Sequence, residues 1–168
     1  IAGRNERAFA VLYDRYGPRM YRYFYRMLWR DKEKAADFTQ ELFLKIIEKP
    51  HLFDPERNFR TWLYSLAINL CKNEYRRPQM PEFPRETPDL WDDSLPEWID
   101  QAVFDSCLRK GIDNLNEAQR QCFVLRFQEE LSVAEIAQIV ACPEGTVKSR
   151  LHHAVRQLRE IMAPLNTQ

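Results

Sequence analysis

Apolar residues recur at helical spacing through most of the chain, with one interruption in the middle. Phe9, Leu12, Tyr13, Tyr16, Met20, Tyr23, Phe24, Met27 and Leu28 step by threes and fours, predicting a helix with one buried face and a kink or break at Gly17-Pro18. Aromatics at this spacing fit a core better than a cofactor pocket. A second helix is predicted over about Lys32 to Lys49, burying Ala35, Thr39, Leu42, Phe43 and Ile46. Asp37, Gln40, Glu41 and Leu44 then face outward, and a leucine beside two acids suits a protein contact as well as an ordinary solvated face. After the loop HLFDPERNFR, a third helix is predicted from about Thr61 to Arg77, with Leu63, Leu66, Ala67 and Leu70 as its core stripe. Three or four helices thus make up the first half.

Trp62, Ser65, Asn69, Lys72, Asn73 and Arg76 share the opposite edge of that third helix. One aromatic, two amides and cations on one face suit opened DNA, since rings stack on unpaired bases, amides bond to base edges and cations follow phosphates. Trp62 fits burial near the helix start equally well.

The C-terminal stretch LSVAEIAQIVACPEGTVKSRLHHAVRQLR reads as two short helices around a tight turn. Ser132 and Glu135 have capping-box spacing, which starts the first helix there, and Val133, Ile136, Ala137 and Val140 form its apolar stripe. Pro143 and Gly145 break the pattern. Val147, Leu151, Ala154, Leu158 and Ile161 then define a second helix. Ser149, His152, His153 and Arg156 line its other side, with Thr146 at its start and Lys148, Arg150 and Arg159 near flanking phosphates. No acid occurs between Gly145 and Arg159, so the helix suits a major groove, where short polar groups read bases and cations hold register. The turn position usually given to a positive-φ glycine falls on Ala141 or Cys142, with strain of roughly 1 kcal/mol.

Charge distribution strengthens this reading although the formal net charge is zero. Residues 1–77 carry 16 cations against 10 acids, residues 78–100 carry 1 against 7, and residues 101–168 carry 8 of each. The acidic strip also holds Pro78, Pro81, Pro84, Pro88 and Pro96, which exclude a continuous helix and predict an extended linker between two small domains, 1–77 and 101–168. Phe83, Leu90, Trp91, Leu95 and Trp98 within it suit docking on the neighbouring domains or on a partner. Without an 18-residue apolar run or a signal-peptide pattern, the chain is expected to be cytoplasmic and not inserted in a membrane; it begins at Ile1, so native residues are expected to precede it.

Enzyme chemistry has little support. The chain has no H-E-x-x-H, P-loop, G-x-S-x-G or C-x-x-C pattern, and only four glycines for a phosphate-cradling loop. Cys71, Cys107, Cys122 and Cys142 are scattered, and Cys142 with His152 and His153 lacks a fourth zinc ligand, so neither metal nor cofactor is expected. A DNA-binding regulator acting alone as a dimer accounts only for the C-terminal part, and no heptad or dimer seam appears.

The segments DFTQELFLKIIEK, FDPERNFRTWLYSLAINLCKNEYRR and LSVAEIAQIVACPEGTVKSRLHHAVRQLR, in that order, resemble the extracytoplasmic-function sigma factors of the sigma-70 family across nearly the whole chain except the linker. The resemblance implies an all-α fold, with sigma domain two, a linker in place of domain three, and sigma domain four. It also implies a monomeric factor, when free, that binds core RNA polymerase through the β′ clamp helices and β flap, recognises promoter DNA and helps melt it. Asp37, Gln40 and Glu41, with Leu44 beside them, match the clamp-binding motif. The loop from His51 to Arg60 and the face with Trp62, Asn69, Lys72, Asn73, Arg76 and Arg77 match the part that captures a flipped minus-ten base. Thr146, Lys148, Ser149, Arg150, His152, His153 and Arg156 match the minus-thirty-five reader. The linker would run toward the polymerase active site and RNA exit channel, and an anti-sigma factor is the implied regulator. Lys34 and Ala36 stand where the clamp motif usually has acids, His153 and Val155 where arginines are usual, and Ala141 where the turn glycine is common.

Overall fold

The computed structural model describes residues 6–76, 106 and 108–162. The linker at 78–100, Arg77 and Cys107 lie outside the described residues. Helix α1 spans Glu6–Met27, α2 Lys32–Glu48 and α3 Phe59–Tyr75, with a 3-10 turn at Pro50–Leu52. Residues 108–113 belong to α4. Helix α5 covers Glu117–Phe123 and continues as a π turn, Val124–Gln128; α6 spans Val133–Val140 and α7 Glu144–Met162. Among the described residues there is no strand.

Local chemistry sets most boundaries. Asp31 caps α2 by accepting from the Lys34 N–H at 3.0 Å, and Asn58 caps α3 by accepting from the Thr61 N–H at 3.2 Å. The second cap starts α3 at Phe59, two residues before the position expected from its apolar stripe. Ser132 and Glu135 form the anticipated capping box: the Ser132 N–H and hydroxyl each donate to Oε2 at 2.8 Å, and the Glu135 N–H donates back at 3.2 Å. Those donors hold the Glu135 carboxyl below the usual range. Helix α1 is not interrupted at Gly17-Pro18 as expected. Pro18 and Asp14 are both exposed, so water can serve the carbonyl that lacks the proline N–H.

The buried face of α2 is the predicted one, Ala35, Thr39, Leu42, Phe43 and Ile46. Helix α3 departs from its prediction. Leu63, Ala67 and Leu70 are buried and Leu66 half-buried, but Tyr64, Ile68 and Cys71 are fully buried as well. The second stripe exists because α6 packs on α3, so one apolar cluster runs from α1, α2 and α3 into α6 and the start of α7. A smaller cluster joins Ile112, Leu115, Ala154 and Leu158. There Gly111 lets α4 approach α7 closely, since a Cβ would meet Leu158 Cδ2 at 2.7 Å and the leucine would have to shift.

Ala141 ends α6 in the left-handed region, at φ 54° and ψ 51°, which resolves the choice between Ala141 and Cys142. Its backbone conformation is one that a Cβ disfavours. Ala141→Gly is therefore expected to stabilise the protein by about 0.5–1 kcal/mol, after allowing for the greater freedom of glycine in the unfolded chain. Urea denaturation checks this through a higher midpoint at unchanged slope.

Candidate nucleic-acid interface

The turn before α7 fixes which of its faces is free. The Cys142 N–H donates to the Ala137 carbonyl at 3.1 Å, and the Thr146 N–H donates to the Pro143 carbonyl at 2.9 Å, so α7 starts directly after Pro143. Val147, Ala154 and Leu158 point inward and are buried. Lys148, Ser149, His152, His153, Arg156 and Arg159 are exposed together on the outside, as their spacing predicted. Arg150 differs. It is half-buried and its Nη1 donates to Cys142 Sγ at 3.7 Å, which ties it to the turn, and Thr146 is also half-buried. An ion pair of 3.8 Å joins Arg156 to Glu160 on the exposed side.

Helix α3 divides its predicted residues between two surroundings. Asn69, Asn73 and Arg76 are exposed in its C-terminal half, with Lys72 half-buried beside them. Trp62 is not an open stacking platform. Its indole is half-buried and packs at 5.0 Å from the Phe53 ring and 5.6 Å from the Phe59 ring. It lines a cavity of about 680 Å³ with Glu56, Arg57, Asn58, Thr61, Ser65 and, from α6, Gln138. Ser65 donates its hydroxyl to the Thr61 carbonyl at 2.9 Å, so it too is already partnered.

Arg60 is drawn to the other half of the chain. Its Nη2 donates to the Glu129 carbonyl, while its Nε is buried with no partner. The Glu129 side chain, 3% exposed, accepts from the Tyr64 hydroxyl and lies 3.6 Å from Arg19 and 3.4 Å from Arg26. Burial, followed by the Glu129 charge, pushes the Tyr64 phenol up; burial pulls the Arg26 guanidinium down, with Glu129 opposing. The π turn sets this position, since the Glu129 N–H closes it by donating to the Val124 carbonyl at 3.1 Å. A second group of contacts lies farther along the same seam. Arg30 pairs with Asp113 at 3.2 Å, and the Arg120 guanidinium sits 5.9 Å from the centre of the Tyr75 ring. Burial, which Arg30 counters, holds the Asp113 carboxyl above its usual range.

Helix periodicity did not find Glu129, Tyr64, Arg19 or Arg26. Glu129 lies 65 residues from Tyr64 and 103 from Arg26 in sequence. The one local sign was a pair of acids, Glu129-Glu130, immediately before the buried Leu131.

The outward face of α2 is as predicted, with Asp37, Gln40, Glu41 and Leu44 exposed. Ile47 and Leu52, unmarked by the sequence reading, extend its apolar part. Glu41 pairs with Lys45 at 2.7 Å. Lys34 turns away from this face, reaching Glu74 at 3.3 Å and lying 5.6 Å from the centre of the Trp29 ring.

Two family descriptions match the chain: "Sigma-70 region 2" over residues 12–79 and "Sigma-70, region 4" over residues 105–158. The ECF RNA polymerase sigma factor SigW of Bacillus subtilis is 32% identical over 171 residues, covering 94% of this chain and 90% of SigW. The ECF RNA polymerase sigma factor BldN of Streptomyces coelicolor is 31% identical over 161 residues; the match covers 92% of this chain but 60% of BldN. Among solved structures, the sigma factor RpoE in complex with the anti-sigma factor NepR, from Bartonella quintana, has a TM-score of 0.70 at 20% identity, covering 93% of this chain and 97% of that one.

The exposed side of α7 yields a direct test. Lys148 stands free to meet a phosphate, so Lys148→Ala is expected to weaken binding to all duplexes alike and to lower the slope of log K against log salt by about one. Fluorescence anisotropy over a salt series reads both effects. An unchanged slope would mean that Lys148 displaces no counterion.

Proposed function

The chain belongs to the extracytoplasmic-function sigma factors of the sigma-70 family, and from that premise we propose how its surfaces share the work of starting transcription. As an alternative sigma factor it binds core RNA polymerase, directs it to particular promoters and helps to open the DNA. The observation that carries this reading is the outer side of α7, where a set of short polar and cationic residues is exposed above a buried apolar stripe. Lys148 and Arg159 hold the helix on phosphates, and Ser149, His152, His153 and Arg156 meet base edges of the minus-thirty-five element. Thr146 and Arg150 stiffen the turn that sets the angle of entry, with Arg150 acting through Cys142.

The C-terminal half of α3 suits the opened minus-ten strand. Asn69 and Asn73 lie one turn apart and offer donors and acceptors to an unpaired base, while Lys72 and Arg76 carry the charge that follows its backbone. Arg60, Trp62 and the loop before α3 adjoin that surface, although Arg60 and Trp62 are engaged by the protein itself in this structure. Helix α2 presents Asp37, Gln40, Glu41 and Leu44 to the β′ clamp helices, and Ile47 and Leu52 widen the apolar part of the contact. The last four helices carry the β flap contact. An anti-sigma factor that covers these surfaces is the regulator this reading implies, as NepR partners RpoE in the structural neighbour. Action on polymerase supports a cytoplasmic location, and among the described residues no helix is long and apolar enough to cross a membrane.

Two experiments test the division of labour. Asn69→Ala combined with Asn73→Ala is expected to abolish most permanganate-reactive thymines at the minus-ten element while leaving binding to minus-thirty-five duplex unchanged; normal melting would overturn the assignment to α3.

The clamp surface is tested by titrating labelled core polymerase. Asp37→Ala or Glu41→Ala is expected to cost about 1–3 kcal/mol of affinity, the range for a charge pair partly removed from water. Ala36→Glu should speed association at low salt by restoring an acid to this side of α2. If all three match the parent, this face does not dock the clamp.

A further inference from the structure

Of the four cations on α7, Arg150 is the half-buried one; Lys148, Arg156 and Arg159 are exposed. What it touches inside the protein is sulfur, twice. Its Nη1 donates to Cys142 Sγ at 3.7 Å, and the same guanidinium donates to the thiol of Cys122 on α5. Both cysteines are free, and Cys142 packs against the apolar cluster that contains Cys122. A thiol is a weak acceptor for a cation. What a guanidinium on two sulfurs favours is the charged form that each passes through when it reacts.

The two sulfurs differ in access. Cys142 is half-buried in the turn between α6 and α7, where solvent reaches it, whereas Cys122 has no exposed surface. Burial pushes the Cys122 thiol up, with Arg150 opposing, so Cys122 is protected from attack from outside. A small oxidant therefore meets Cys142 first. Hydrogen peroxide would give up one oxygen to the Cys142 sulfur, breaking its O–O bond, forming a sulfenic acid and releasing water. The Cys122 sulfur would then displace that oxygen, closing the S–S bond and releasing a second water. The two thiols together lose two electrons and two protons, and one peroxide becomes two waters.

We propose that Cys142 and Cys122 form a peroxide-responsive thiol pair beside the reading helix, in which Cys142 reacts first, Cys122 resolves it into a disulfide, and Arg150 holds both sulfurs. The bond removes both thiols as partners of Arg150 and draws the turn before α7 toward α5, so the angle at which α7 enters the groove changes. That consequence rests on the reading of α7 as the minus-thirty-five helix; the bond itself does not.

Mass spectrometry on the full chain tests the pair. After treatment with hydrogen peroxide, alkylation and trypsin, the peptides 121–126 and 127–148, which Arg126 separates, should be recovered joined, lighter by two hydrogens than their sum, and parted by dithiothreitol. Cys142→Ser and Cys122→Ala should each abolish the joined species. If Cys122→Ala loses helical circular dichroism, Cys142→Ser, at the half-exposed position, decides alone. No joined peptide, or one found only in covalent dimers, would overturn the pair. Fluorescence anisotropy on minus-thirty-five duplex tests the consequence: the oxidised parent should bind about tenfold more weakly, a loss of the size of one base-pair contact, and dithiothreitol should restore it. A joined peptide with unchanged duplex affinity would overturn the effect on reading. If the reduced parent does not bind duplex at all, the reading of α7 falls, while the joined peptide still judges the pair.

Discussion

Glu129 carries a charge at a place where water cannot solvate it, and the arrangement of the two halves of the chain answers to that fact. Removing a carboxylate from water costs several kcal/mol, and the cost is offset only where partners are well placed. Here a phenol donates to it and two guanidiniums face it, each with one side still reaching solvent. All three partners come from α1 and α3, whereas the carboxylate comes from the turn between α5 and α6. Separating the halves without solvating Glu129 would leave an unpaired buried charge, at about 3–5 kcal/mol. Separation into water avoids that penalty. A contact of this type therefore fixes one register between two bodies more than it binds them irreversibly.

Helix α3 shows the cost and the use of that arrangement. It is buried along two stripes, one toward α1 and α2 and the other toward α6, and its polar residues are left the remaining strip. Asn69, Asn73 and Arg76 lie beyond the seam and stay in water, while Arg60 and Trp62 lie within it and are engaged by the protein itself. Helix α7 has no such conflict. Its apolar stripe is satisfied by α4, α5 and α6, so its outer side is free whether or not the halves touch.

The same logic separates the two unusual residues of α2. Lys34 looked like a charge reversal in an acidic contact face, yet its ammonium belongs to the packing around Trp29 and Glu74. Ala36 is left as the one true loss of charge beside Asp37 and Glu41. The acidic surface is thus smaller than in the family pattern but is not opposed by a neighbouring cation from Lys34.

Much of this was legible in the residue order because it depends on neighbours within one or two helical turns. The buried positions of α2, the capping box at Ser132 and Glu135, a strained turn at Ala141 or Cys142 and the exposed polar side of α7 all follow from side-chain periodicity and local hydrogen bonding, which are properties of short segments. The continuity of α1 through Pro18 departed from expectation because it depends on Asp14 and Pro18 lying on the exposed side of the helix, where water can serve the carbonyl that the proline leaves unpaired. The double burial of α3, the capture of Arg60 and the partners of Glu129 were not legible. Each pairs residues from separate halves of the chain, and no periodicity within a helix records what will pack on its second face; only the tertiary structure, by excluding water from that seam, decided which polar groups had to find one another.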